Sequence, residues 1–113
     1  MEYIAVMDIM PFGALGEQNR FQIVELLRDK PRPVGEIAER LRIRQPQASK
    51  HLKVLADAGI VEVRPQKNLR IYELSPKKFQ EIDRWLEKYR SMWEKRLDRL
   101  DSLLQKEKKK HDK

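Results

Sequence analysis

The stretch from Val34 to Ala58 constrains what this chain can fold into more than any other part of it. In its first half Val34, Ile37, Ala38 and Leu41 recur at spacings of 3, 1 and 3, which is one face of a helix. In its second half Ala48, Leu52, Leu55 and Ala56 recur at 4, 3 and 1, again a single face. Between them Arg42-Ile43-Arg44 leaves room only for a turn, with Ile43 an apolar plug under the corner. Pro46 suits the first turn of the second helix, where a missing N–H costs nothing. Its ring also pushes Gln45 out of the helical region and so marks the helix start. Gly59 follows, in the place where helices commonly end in a left-handed residue. Two helices, a tight turn and a sharp stop predict a helix-turn-helix over residues 34–58.

The outward face of the second helix carries the chemistry. Gln45, Gln47, Ser49, Lys50, His51 and Lys53 point away from the apolar stripe, and none of them is acidic. Gln and Ser offer donors and acceptors to base edges, whereas Lys and His meet phosphates. A merely solvated face ordinarily mixes Glu with Lys.

Charge is concentrated in the same place. The chain carries a net +7, unevenly spread. Residues 1–39 hold 4 basic and 7 acidic side chains, residues 40–70 hold 8 and 2, and residues 71–113 hold 13 and 9. A basic block centred on the second helix is the footprint of a polyanion site.

Composition excludes several alternatives. At 113 residues the chain is expected to form one domain. It has no cysteine, so disulfides, thiolate metal sites and thiol sensing are out. Two histidines and no Gly-rich phosphate loop leave nothing from which to build an enzyme site. No apolar run approaches the roughly 18 residues of a membrane span. Met1-Glu2-Tyr3 and Asp8 have the wrong charge for a secretory leader, so the expectation is a cytoplasmic protein. Neither a cofactor nor a metal is expected.

Taken in order, residues 1–15 are mostly apolar, with Met1, Ile4, Met7 and Met10 in one stripe that Pro11 and Gly13 break. This segment either caps its own domain or packs on a second subunit. Asn19 is a candidate cap for a helix reaching Arg28, with Phe21, Ile23, Val24 and Leu27 inward. Asp29 to Pro33 reads as a stiff connector. After the helix-turn-helix, residues 60–74 alternate apolar and polar on either side of Pro65-Gln66-Lys67-Asn68, predicting a hairpin with a left-handed Asn68. Arg64, Lys67 and Arg70 stand at or beside its tip. A basic hairpin directly after a helix-turn-helix is a wing.

Ser75-Pro76 then opens a helix expected to reach about Gln105, since no Gly or Pro follows. Phe79, Ile82, Leu86, Tyr89, Trp93, Leu97, Leu100 and Leu104 form its apolar stripe. A small domain cannot cover so long a stripe, so part of it must meet another chain. Residues 107–113 are expected to be a disordered basic tail beyond a domain of residues 1–106.

The run QPQASKHLKVLADAGIV, from Gln45 to Val61, resembles the ArsR family of prokaryotic winged-helix transcriptional repressors. NRFQIVELL before it, RIYEL at the end of the hairpin and the Trp-bearing YRSMWEKRLDRL extend the likeness over about residues 12–105. The resemblance implies a homodimer, built from the N-terminal segment and the last helix, that binds an inverted-repeat operator and blocks its own promoter. Arg44 stands where the family often has Ser, and Lys67-Asn68 where its wing tip usually has Gly. The thiolate motif of the metal-sensing members is absent, and LKVLADA at the matching place offers only Asp57.

The expected fold is therefore mainly α with a small β-hairpin, a winged helix-turn-helix with a long C-terminal dimerisation helix. Gln45, Gln47, Ser49 and His51 are the candidates for base edges, and Arg44, Lys50, Lys53, Arg64, Lys67 and Arg70 for phosphates. Ile4 and Met7 join the eight stripe residues from Phe79 to Leu104 as candidates for the dimer interface. The expected partners are double-stranded DNA, a second copy and an unidentified small-molecule or protein inducer, with no membrane. The rival is a winged helix used for protein assembly, against which the acid-free, Lys-bearing face argues.

Overall fold

Three of the prolines stand in the first turn of a helix, where a ring with no N–H breaks no intrahelical bond. The computed structural model of the chain describes residues 8–111, with side chains through Lys108. Pro11 lies in the first turn of α1 (Met10–Leu15), Pro46 in that of α4 (Gln45–Asp57), and Pro76 opens α5 (Pro76–His111). Between them run α2 (Gln18–Asp29), β1 (Arg32–Pro33), α3 (Val34–Leu41), β2 (Val61–Gln66) and β3 (Leu69–Leu74). The fold is mainly helical, with a small antiparallel sheet of order β1-β3-β2 and a long C-terminal helix. Among the described residues, no helix is long and apolar enough to cross a membrane.

Several expectations need correction. Pro11 and Gly13 do not break α1 but lie within it, because a proline in the first turn starts a helix rather than ending one. The cap of α2 is Glu17, not Asn19: its carboxylate accepts the Arg20 N–H at 2.9 Å. Phe21 is 51% exposed rather than inward. It stands two residues from buried Ile23, and so about 200° round the helix. The connector contains β1, whose Arg32 and Pro33 pair with Tyr72 and Ile71. The hairpin turn is only Lys67-Asn68, since Pro65 pairs with Arg70 and Gln66 with Leu69. β2 is an edge strand, where proline's missing N–H costs no ladder bond. The left-handed residue at the tip is Lys67, at φ 57°, not Asn68. Finally, α5 continues through Lys106 to His111 where a frayed tail is expected. Lys and Glu are good helix formers, and nothing in the run interrupts it.

The core gathers one face from each short element. Ile23, Ile37, Leu52, Leu55 and Ile60 are fully buried, each contributing about 1.5–3 kcal/mol relative to exposure in water. Ala14, Leu27, Ala58 and Val61 complete the cluster, with Tyr72, Leu74 and Phe79 packed against it. Ser75 ties the wing to the last helix. Its N–H donates to the Ile60 carbonyl at 2.8 Å, and its hydroxyl accepts the Lys78 N–H at 3.3 Å.

Compactness divides the chain inside α5, between Phe79 and Gln80. Phe79 belongs to the first unit, where it is half-buried and packs against the core. In the second unit α5 is amphipathic, yet Leu86, Tyr89, Trp93, Leu97, Leu100 and Leu104 are between 42% and 59% exposed. Trp85 and Tyr89 pack ring to ring at 5.0 Å, and the Arg96 guanidinium lies over the Trp93 ring at 5.6 Å. Ile4 and Met7 lie outside the described residues.

Candidate nucleic-acid interface

The two ends of α4 are fixed by backbone bonds that the sequence can be read to require. At its start Arg44 is extended (ψ 146°) and its carbonyl accepts the Ala48 N–H at 3.0 Å, so Arg44 is the cap and Gln45 the first helical residue. This moves the boundary one residue earlier than the proline argument places it. Gln47 then reaches back, its Oε1 accepting the Arg44 N–H at 3.2 Å. At the far end the Gly59 N–H bonds to the Ala56 carbonyl and the Ile60 N–H to the Leu55 carbonyl, both at 2.9 Å. That double bond pattern needs a left-handed residue, and Gly59 supplies it at φ 77°.

The turn before α4 closes the same way at a different residue type. The Arg42 N–H bonds to the Glu39 carbonyl at 3.2 Å and the Ile43 N–H to the Ala38 carbonyl at 3.0 Å, with Arg42 left-handed at φ 57°. Ile43 is half-buried, as a plug under the corner should be.

Ala48, Leu52 and Leu55 lock one face of α4 into the core, and the opposite face is open. Gln47, Ser49, Lys50 and Lys53 are exposed there, with the exposed Asp57 at the far end; Gln45 is exposed at the helix start beside Gly35 of α3, and the exposed Arg44 precedes it. His51 is different. It is half-buried, with Nδ1 3.6 Å from Glu17 Oε2. Bonding to the Arg20 amide holds the Glu17 carboxyl below its ordinary range, and the nearby His51 adds to the effect. Val54, 41% exposed, is a face residue the periodicity did not single out. Its position off the 48-52-55 stripe was the available signal.

On the wing Arg64, Lys67 and Arg70 are exposed, but they do not share a face. Arg64 is registered with Ile71 and sits 3.9 Å from Glu73 on one side of the hairpin, while Arg70 is registered with Pro65 on the other. Lys67 crowns the tip, beside an exposed Leu69.

Below α3, Arg32 is only 3% exposed, and its guanidinium binds Glu36 at 2.5 Å and Asp29 at 2.9 Å. The Arg32 hydrogen bond holds the Glu36 carboxyl below its ordinary value. An open hollow of about 570 Å³ between α2 and α3 is lined by Glu25, Arg28 and Arg40 among others, with Glu25 3.6 Å from Arg28. On α5 Arg90 binds Asp83 at 3.2 Å and also Glu87, and the two carboxylates raise its pKa. Among the described residues, no group of three His, Asp or Glu side chains is placed to hold a metal ion.

A helix-turn-helix whose second helix is open on one face, followed by a β-hairpin wing that β1 extends to three strands, defines a winged helix-turn-helix protein. Residues 15–64 match the family model described as a helix-turn-helix domain. The transcriptional activator HlyU of Vibrio cholerae is 32% identical over 75 residues, covering 66% of this chain and 69% of HlyU. The HTH-type transcriptional regulator Rv2034 of Mycobacterium tuberculosis is 44% identical over 63 residues, covering 56% of this chain. That match spans 59% of the length of Rv2034. A crystal structure of an ArsR family transcriptional regulator superposes with a TM-score of 0.64 at 26% identity, covering 75% of this chain and 88% of that one. The chain belongs to the ArsR-like family of winged helix-turn-helix transcriptional regulators.

Proposed function

We propose that the chain is a homodimeric transcriptional repressor, a binding protein rather than an enzyme, that grips an inverted-repeat operator. The observation that carries this reading is the run Gln45 to Lys53 of α4, where exposed Gln45, Gln47, Ser49, Lys50 and Lys53 stand without an acid, Asp57 coming only at the helix end, while Ala48, Leu52 and Leu55 are locked in the core. In a major groove, Gln45, Gln47 and Ser49 would meet base edges, and Val54 a thymine methyl. Arg44, Lys50 and Lys53, with Arg64, Lys67 and Arg70 of the wing, would hold phosphates and set the register. His51 reaches DNA only by leaving Glu17. The apolar stripe of α5, half-buried at Ile82 and exposed from Leu86 through Leu104, would pair with a second copy. Two copies then present two recognition helices to successive grooves, which is why the operator is an inverted repeat. Release would come from a small apolar ligand, a partner protein or dilution, not from a metal.

Selection of bound duplexes from a random pool tests the reading. An enriched inverted repeat, lost together with affinity on Gln47→Ala, is expected. Uniform binding without enrichment would mean nonspecific coating, and no binding would mean a protein-assembly module. The relative HlyU is described as an activator, so a reporter driven from the selected site decides the sign, with reduced expression expected here.

A further inference from the structure

Residues 83–104 of α5 repeat once at a period of 11, in charge as well as in hydrophobicity, except where Trp85 gives way to Arg96 and Arg90 to Asp101. Residues 83–93 read DRWLEKYRSMW and residues 94–104 read EKRLDRLDSLL. Asp83 and Glu87 return as Glu94 and Asp98, Arg84 and Lys88 as Lys95 and Arg99, and Ser91 as Ser102. Leu86, Tyr89 and Trp93 return as Leu97, Leu100 and Leu104. Eleven residues are close to three helical turns, so each kind of residue forms a stripe along the axis with little drift.

At about 100° per residue, Arg84, Lys88, Lys95, Arg99 and Lys106 fall within one sector of about 60°. That sector lies roughly 150° from the apolar stripe, so a second copy covering the apolar side leaves the basic side open. All five side chains are exposed. A solvated helix face normally gains from acids placed three or four residues from its bases. Here Arg84 and Lys88, and again Lys95 and Arg99, are like charges four residues apart. No acid stands three or four residues from Lys88, Arg99 or Lys106. Between residues 83 and 104 the acids keep to a separate edge, where Arg90 already holds Asp83 and Glu87, and only Glu81 enters the basic sector, at its start beside Arg84. A groove of about 410 Å³ runs along the basic side, lined by Lys88, Ser91, Met92, Lys95, Arg96 and Arg99. It presents four cations and no carboxylate.

We propose that this stripe is a second nucleic-acid surface that follows a phosphodiester backbone without reading sequence. Sequence-independent contact with a polyanion needs only spaced charges. A protein partner would need apolar or aromatic anchors and would avoid Lys, and the stripe offers only Met92 at its rim. The proposal rests on the reading of α4 as the helix that binds the operator, and adds DNA beyond that operator to the complex.

The test compares two duplexes built on the selected operator, one ending at its last base pair and one extended on both sides. A triple variant, Lys88→Gln, Lys95→Gln and Arg99→Gln, keeps good helix formers, and circular dichroism and sedimentation check that it folds and associates as the parent does. The expected result is that the variant matches the parent on the short duplex. On the long one its log–log salt slope is shallower by about three per subunit. Exchanging the same positions for Arg, Arg and Lys should restore the parent's slope. Equal slopes for parent and triple variant on the long duplex overturn the proposal and leave operator binding standing. So does a loss confined to a poly-glutamate probe, which would point to an acidic protein. If the parent binds no duplex at all, both readings fall together.

Discussion

The backbone N–H of Arg44 donates to Gln47 Oε1 at 3.2 Å, so a side chain proposed to read a base also closes the start of its own helix. With the carboxamide oxygen engaged, Gln47 presents its NH₂ outward. It can then donate to guanine O6 and N7 or thymine O4 but not make the two-way contact that adenine invites. Gln47→Glu keeps the acceptor at a helix N-terminus, where a negative charge is favoured, and loses the donor. Folding stability should stay within a few tenths of a kcal/mol, while base preference moves toward cytosine. Gln47→Ala should lose about 0.5–1 kcal/mol of stability and about 1–3 kcal/mol at one base pair. Denaturant midpoints and a competition series over the four bases check both. An adenine at the Gln47-dependent position would show that the cap opens on binding.

Two left-handed residues with the same job make opposite predictions. Arg42 and Gly59 each end a helix through the same pair of backbone bonds, at φ 57° and 77°. A side chain costs about 1–2 kcal/mol in that region, less the unfolded-state entropy that glycine adds. Arg42→Gly should therefore raise stability by about 0.5–1 kcal/mol. Gly59→Ala should lower it by at least about 1 kcal/mol. Its new methyl also meets Lys78 Cε at 2.7 Å, a contact the flexible lysine can relieve. Thermal midpoints of the two variants decide the matter, and a shift of the same sign in both would refute it.

How far these features are legible in the sequence follows from how local their causes are. The helix-turn-helix is set by contacts three or four residues apart and by Pro46 and Gly59, so its boundaries emerge to within a residue. β1 is not legible, because two residues including a proline form a strand only when β3, far along the chain, is there to pair with them. The burial of Arg32 follows from that pairing, and no local pattern marks it. Phe21 and Phe79 differ in a way that periodicity does not show. Each is an aromatic in an amphipathic run, and only the packed structure shows that one faces solvent and the other the core. The candidate reading face is visible from periodicity alone, apart from the turning of His51 toward Glu17, which caps another helix.

The Arg32 clamp gives the fold an acid-sensitive support. Glu36 has its pKa held below the ordinary 4.5 by the Arg32 hydrogen bond, so the pair stabilises the folded state above that pH. Its contribution is lost as the pH falls through the lowered folded-state value. Glu36→Gln should flatten the acid limb of the stability curve below about pH 4.5 and leave the neutral-to-alkaline limb parallel to the parent's. Arg32→Ala removes a buried donor of charge-assisted bonds and should cost about 1.5–3 kcal/mol at pH 7. Urea midpoints measured from pH 3 to 8 test this, and an unchanged acid limb in Glu36→Gln would rule the clamp out.

The exposed stripe of α5 predicts where association is decided. Leu97 and Leu100 are 59% and 53% exposed and lie in the second unit, so they do not belong to the core built around Ile23 and Leu52. Covering such side chains with a second copy is worth about 25 cal/mol per Å² of apolar surface removed from water, and a charge placed among them forfeits that gain. Leu97→Asp or Leu100→Asp should dissociate the dimer at micromolar concentration and weaken operator binding by at least about a hundredfold. The near-ultraviolet signature of the first unit should be unchanged. Phe79→Ala should behave in the opposite way, because Phe79 packs on the first unit's core. It should cost about 2–4 kcal/mol of folding stability without preventing association of whatever remains folded. Sedimentation velocity over a concentration series, run beside urea unfolding, separates the two effects. A parent protein that sediments as a monomer at micromolar concentration would end the dimer reading, and a Phe79→Ala variant that dissociates at full stability would place that residue in the interface.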